Sequence, residues 1–205
     1  MLVRHRRSIR RISHLKLVLI IAPIIITAAI VLVNIKPAPV VTVAKITTII
    51  SEQKTKAYLP TRLKIPVINV DAAIDYTGLT PDGAMDVKQD PNKTAWYSLG
   101  PRPGENGNAV IAGHYGWFDG QPSVFNELHT LKQGDKISII DEKNATITFT
   151  VRESQKYNPN ADASNIFTSN DGISHLNLIT CDGVWDNNKE TYSDRLVIFA
   201  DIEIK

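Results

Sequence analysis

The stretch His175-Leu-Asn-Leu-Ile-Thr-Cys-Asp-Gly183 decides how the rest of the chain is read. The run from His175 to Thr180 is short and mostly apolar, which predicts a strand that ends at Cys181. Cys181 is the only cysteine in 205 residues, so the fold holds without an intramolecular disulfide. A lone cysteine is most often a small buried hydrophobe. The other reading, a nucleophile, needs a partner nearby, because an ordinary thiol is only a few per cent thiolate at neutral pH.

Two other stretches supply candidates. Ala109-Val-Ile-Ala-Gly-His114 is an apolar strand-like run that delivers an imidazole at its end. Ser193-Asp-Arg195-Leu-Val-Ile-Phe-Ala-Asp201 sets a guanidinium at the start of a very apolar strand. In chain order the polar groups are His, Cys, Arg. His175 shares strand parity with Cys181, but six residues at about 3.3 Å each put it roughly 20 Å away. His5 and His14 fall in the basic N-terminal arm, and His129 reads as a surface or capping histidine on a short helix. That leaves His114 as the base.

Asn177-Leu-Ile-Thr-Cys181, Val110-Ile-Ala-Gly-His114 and an arginine opening the last strand together resemble the sortases. The resemblance runs over about residues 57 to 205, with Leu63-Lys-Ile-Pro66, Val124-Phe-Asn-Glu-Leu128 and Leu131-Lys-Gln-Gly-Asp135 matching as well. It is nearest to the short, housekeeping-like forms called classes F and E. Asn177 stands where the family often has Thr, a departure expected to matter little. Papain-like proteases carry Cys before His, the reverse of the order here. Peptidoglycan-crosslinking cysteine transpeptidases carry a His-Gly-Cys core, which this sequence lacks.

The resemblance implies an all-β fold, an eight-stranded barrel with one or two short helices. It also implies that the loop before the cysteine strand, with Ile166 and Phe167, covers a substrate side-chain pocket; stapling that loop to the core is the other reading of the pair. Chemistry suggests the roles: Cys181 attacks a peptide carbonyl, His114 protonates the departing amine, and Arg195 steadies the oxyanion or holds the substrate backbone. Thr180 either presents its hydroxyl or backbone to substrate or simply packs. The substrate implied is a secreted protein with a C-terminal Leu-Pro-X-Thr-Gly-like sorting signal, cut after Thr through a thioester. The acceptor implied is an amine on a peptidoglycan precursor or a pilin lysine. No cofactor and no metal are expected, since Glu127 and Asp135 form no specific ligand pattern. The rival readings are a cysteine endopeptidase that only hydrolyses and a non-catalytic tethered binding module.

The remainder of the chain divides by composition. Residues 1 to 16 carry six basic side chains and no acid, while the rest holds 17 basic residues against 21 acidic ones. Nucleic-acid binding is therefore not indicated: the basic arm is better explained by its neighbour, an uncharged apolar run from Leu17 to Val33. Taken from 15 to 35, that run makes roughly 31 Å of helix, enough to span a bilayer core. Positive charge on its N-terminal side puts the N-terminus in the cytoplasm and the body of the chain outside. A cleaved signal peptide is the alternative, with Thr42-Val-Ala44 as a small-X-small site, but the apolar core is longer than such peptides use. The expected divisions are an arm at 1–16, a transmembrane signal anchor at 17–35, a linker at 36–56 and a catalytic domain at 57–205.

Within that domain, Pro66 makes Arg62 to Val70 either an edge strand or an interrupted one, with Asp71 to Thr77 as its partner. Residues 78 to 103 predict loop with helical turns near Lys93 to Leu99, Trp96 and Tyr97 packing as lids. Apolar residues at 124, 125, 128 and 131 predict one amphipathic helix. Lys136 to Asp141 and Thr146 to Val151 flank Glu142-Lys-Asn144 as a hairpin.

Overall fold

The computed structural model describes residues 57–87, 89–116 and 120–204. The arm, anchor and linker expected over residues 1–56 lie outside the described residues. Among the described residues no helix is long and apolar enough to cross a membrane.

Eight strands close into a barrel: β1 (Pro60–Ile65), β2 (Val70–Thr77), β3 (Thr94–Tyr97), β4 (Gly107–Gly113), β5 (Lys136–Asp141), β6 (Thr146–Tyr157), β7 (Ser174–Asp186) and β8 (Thr191–Ile202). Around the barrel the order is β1-β2-β3-β4-β7-β8-β6-β5. The β2–β3 and β4–β7 pairs are parallel and the others antiparallel. One short helix, α1 (Ser164–Phe167), lies in the β6–β7 connection.

The hairpin forms for local reasons. Asp141 Oδ1 accepts the backbone N–H groups of Lys143 and Ala145 at 2.8 and 2.9 Å, and Asn144 takes the left-handed conformation that Asn tolerates. Ile137 and Ile139 then face Phe149 and Ile147 across the ladder. Pro66 does interrupt the first strand: a 3₁₀ turn at Pro66–Ile68 and left-handed Asn69 fold the chain back, and β2 pairs with β1 from Val70 onward.

Two expected helical segments form differently. Residues 94–97 are strand β3, laid parallel to β2 with Ile74 beside Thr94, and Trp96 is buried with its indole N–H on the Pro101 carbonyl at 3.0 Å. Residues 122–131 make turns and a 3₁₀ segment at Leu128–Thr130 rather than an amphipathic helix. The amide of Val124 bonds the Pro91 carbonyl and that of Phe125 bonds the His114 carbonyl, so these backbone groups are tied to other segments. The apolar spacing was real, since Phe125, Leu128 and Leu131 are all buried.

Inside the barrel, Leu63, Ile65, Ile111, Ile137, Ile139, Phe149, Leu176, Leu178 and Ile198 form the core. The outer face of β4, β7 and β8 is covered as well: Val110, Val197, Phe199 and Ile166 pack together, with Ile179, Tyr157, Phe167 and Met85 against them. Burial on both faces explains why Ala109 to Ala112 and Leu196 to Ala200 read as continuous apolar runs instead of alternating.

Candidate active site

Gly113, the last residue of β4, stands where nothing larger fits. A Cβ would stand 2.6 Å from the Phe125 ring and 2.8 Å from Val124. The next residue, His114, therefore leaves the strand at a closely packed point. Its neighbour on β7 follows from register: Ala112 pairs with Ile179, so two residues further on His114 comes beside Cys181. Thr180 fastens this step, its hydroxyl donating to the Gly113 carbonyl at 2.8 Å.

On the other side of β7, Cys181 pairs with Arg195 of β8, and Arg195 pairs with Tyr157 of β6. One rung of the sheet thus carries Cys181, Arg195 and Tyr157 across three adjoining strands, about 4.8 Å from one strand to the next, and His114, one residue past the end of β4, lines the same two cavities as Cys181. Cys181 is partly exposed and not sealed in apolar packing. All three residues expected to carry the chemistry are brought together.

Neither strand ends where the sequence suggested. β7 runs on through Asp186, and β8 begins at Thr191, four residues ahead of Arg195. The extra residues pair as a ribbon with a register shift between Asp182 and Trp185. Gly183 makes that bulge possible, with φ at +87° and room for no Cβ, which would stand 2.2 Å from the Ser193 hydroxyl. Cys181 thus lies just before a bulge in a long strand, where the twist re-aims the backbone.

Two cavities flank the sulfur and share His114 and Cys181. One, of about 410 Å³, is mainly apolar, with Met85, Ala163, Ile166, Phe167 and Ile179 among its walls and Arg195 at its edge. The other, of about 510 Å³, is walled by Tyr115, Trp185, Glu190, Thr191 and Tyr192. Ile166 is buried and Phe167 half-buried against the Tyr97 ring, so the pair both staples the loop and lines the apolar cavity. Thr180 also borders that cavity, but its hydroxyl is committed to Gly113.

Asn177 matters more than expected. It is buried, and its amide donates to the Ile166 carbonyl at 2.6 Å; Asn108 donates to the same carbonyl at 3.2 Å and to that of Asn165 at 2.8 Å. These two amides hold α1 over the cavity.

Burial pushes the Cys181 thiol above its ordinary range, and the Arg195 charge opposes this in part. The Tyr192 phenol is likewise raised, by burial first and then by Tyr115 and Cys181. Arg195 is folded onto the ribbon: Nη1 donates to the carbonyls of Tyr192 and Asp194 at 3.2 and 2.9 Å, and Nη2 donates to the Thr191 hydroxyl at 3.1 Å. Asp182, nearly buried, is neutralised by Lys156, whose Nζ lies 2.6 Å from Oδ2. His175 sits at the far end of the same face, its ring nitrogens 2.7 Å from Asp201 and 2.9 Å from Asp171. It serves to tie the β6–β7 loop to β8.

The sequence reading missed Tyr115, Trp185, Glu190, Thr191 and Tyr192. A hairpin signal was present: Asp186-Asn-Asn-Lys-Glu190 is turn-rich and lies between two aromatic residues.

A closed barrel with a thiol, an imidazole and a guanidinium lining one cavity on its outer face suits thiol-dependent acyl transfer. The sortase-domain family model matches residues 63–203, and the chain belongs to the sortase family. Membership implies cysteine transpeptidase chemistry. No curated protein matches the chain by sequence. Among solved structures, sortase C-1 from Actinomyces oris is similar with a TM-score of 0.56 and 21% identity, over 71% of this chain and 72% of that one. Sortase A from Corynebacterium diphtheriae has a TM-score of 0.57 and 18% identity over 83% and 73% of the respective chains. Sortase C1 from Streptococcus agalactiae has a TM-score of 0.56 and 20% identity over 71% and 67%. At these identities the likeness is one of fold.

Proposed function

We propose that this sortase-family chain cleaves a C-terminal Leu-Pro-X-Thr-Gly-like sorting signal after Thr and transfers the protein to an amine acceptor. The acceptor is an amine of a peptidoglycan precursor or a pilin lysine. The observation that carries this reading is that His114, Cys181 and Arg195 line one cavity, with a second cavity sharing His114 and Cys181. The apolar cavity suits the leucine and proline side chains of such a signal. The basic arm at 1–16 and apolar run at 17–35 make the chain a membrane-anchored enzyme with its catalytic domain outside the cytoplasm, where secreted substrates and lipid-linked acceptors meet.

The mechanism follows from the chemistry of the row. Because burial raises the thiol, the attacking form arises when Sγ passes its proton to the His114 imidazole. The thiolate adds to the Thr carbonyl, and Arg195 stabilises the oxyanion with donors swung from the ribbon carbonyls. His114 returns the proton to the departing glycine amine as the C–N bond breaks, leaving an acyl thioester on Cys181. The acceptor amine then resolves it.

The test is incubation of the detergent-solubilised full chain with a Leu-Pro-X-Thr-Gly peptide library, followed by intact-mass detection of an acyl adduct on Cys181. Cys181→Ala and His114→Ala are expected to abolish the adduct, and Arg195→Lys to lose most of it, since an ammonium lacks the planar fork. Wild-type rates in any of these variants refute the assignment.

A further inference from the structure

The two cavities beside Cys181 differ in charge as well as shape. The apolar one has Arg195 at its edge, a group suited to peptide carbonyls. The other has three aromatic rings and a carboxylate. Tyr192 stands in the middle of the rings, 5.5 Å from Tyr115 at 79° and 5.1 Å from Trp185 at 69°, both edge-to-face. Trp185 and Tyr192 are also cross-strand partners, so the ribbon holds their spacing. The raised Tyr192 phenol stays neutral near neutral pH. Among the described residues lining this cavity, Glu190 alone is a carboxylate, and neither Lys nor Arg is present.

A cavity lined by three aromatic rings and one carboxylate suits a cation. An acyl thioester occupying the apolar cavity would leave this second cavity as the open approach to the same sulfur.

Resting on the function proposed above, we infer that the cleft of Tyr115, Trp185, Tyr192 and Glu190 is the acceptor site, and that it selects a primary amine in its cationic form. The ammonium is drawn in by Glu190 and the aromatic rings, then gives one proton through the His114 imidazole to solvent. The freed nitrogen lone pair forms the C–N bond to the thioester carbonyl as the C–S bond breaks. The second N–H proton ends on the departing sulfur, restoring the thiol and leaving an amide.

The experiment measures the ratio of amide to hydrolysis product at subsaturating acceptor, using the full chain and whichever library peptide acylates Cys181. Two acceptors are compared near neutral pH: 1-aminopentane, which is cationic there, and hydroxylamine, which is neutral. Trp185→Ala is expected to lower the amide ratio for aminopentane about fivefold, the size of a cation–π contact at a partly exposed site. Trp185→Phe retains a π face and is expected to restore most of the loss, whereas Trp185→Leu is not. Glu190→Gln is expected to lower the aminopentane ratio about threefold. Hydroxylamine ratios and the rate of thioester formation stay within about twofold in every variant. Equal losses for both acceptors, or none for either, overturn the acceptor site while leaving the thioester chemistry intact. Absence of any thioester in the wild type overturns the proposed function and this inference together.

Discussion

Replacing Thr180 by valine tests whether the strand register and the chemistry share one fastening. The hydroxyl is 3% exposed at the residue level and donates 2.8 Å to the Gly113 carbonyl. Valine fills the same volume, so no cavity opens. What is lost is a buried hydrogen bond, worth about 1 kcal/mol net, with a further cost of up to about 2 kcal/mol if the carbonyl is left unpaired. Taking about 1.5 kcal/mol and about 3 °C per kcal/mol for a domain of this size, Tm falls by about 4 to 5 °C. The larger effect is on geometry, because Gly113 immediately precedes His114. A displacement of about 1 Å in a catalytic group lowers rate by about a hundredfold, so thioester formation is expected to fall by tenfold or more. Thr180→Ser keeps the donor and is expected to recover most of the rate. The assays are differential scanning calorimetry and the mass-detected acylation rate. A valine variant melting within about 1 °C of wild type and acylating at the wild-type rate refutes the fastening.

Three further outcomes are expected. Gly113→Ala forces a Cβ into the Phe125 ring and Val124, and is expected to cost about 1 to 3 kcal/mol in urea denaturation. Alkylation of Cys181 by iodoacetamide is expected to rise about tenfold per pH unit through neutrality with no plateau in the ordinary thiol range, because burial favours the neutral thiol and thiolate appears only at higher pH; Arg195→Met removes the opposing charge and slows it further. The Asp171 carboxyl is lowered to about 2, chiefly by the Ile173 amide and then by His175, so its contribution to stability is complete above the ordinary carboxylate range and is lost as pH falls from about 4 through about 2. Asp171→Asn is expected to flatten the melting temperature across that acid window, and an unchanged profile refutes the contribution.

What could be read in the sequence was what local pattern controls. The β5–β6 hairpin was legible because Ile147, Phe149 and Val151 alternate and Asp141 and Asn144 carry the turn. The His114, Cys181 and Arg195 set was legible from residue type and chain order. The missed features depend on partners distant in the chain. Strand β3 is four residues long and takes its extended form from pairing with β2 on one side and β4 on the other. The turns at 124–131 share the helical spacing of their apolar residues, yet amides at 124 and 125 bond carbonyls at 91 and 114 instead of closing a helix. Asn177 looked incidental because the carbonyl it holds belongs to α1, eleven residues earlier. The ribbon beyond Cys181 was hidden by polar residues, and its one internal glycine forms a bulge that depends on Ser193 and Asp194 across the ribbon.

The interior fixes where the chemistry stands. Side chains alternate along β7, so the same register that turns Leu176 and Leu178 into the core turns Asn177, Ile179 and Cys181 outward. A slip of one residue would carry Cys181 and the Asn177 amide into the barrel and take Leu176 and Leu178, each contributing about 2 kcal/mol by burial, out of the core. The parallel partner β4 and antiparallel partner β8 obey the same constraint through Ile111 and Ile198, which share the core, and through Val110 and Val197, which share the outer cluster. Three groups, 67 and 14 residues apart in the chain, are thereby held side by side without bonds among themselves being needed to bring them there. This leaves the guanidinium free to rest on the ribbon carbonyls until a substrate offers a better acceptor, since its place in the row is secured by apolar packing on both faces of the sheet.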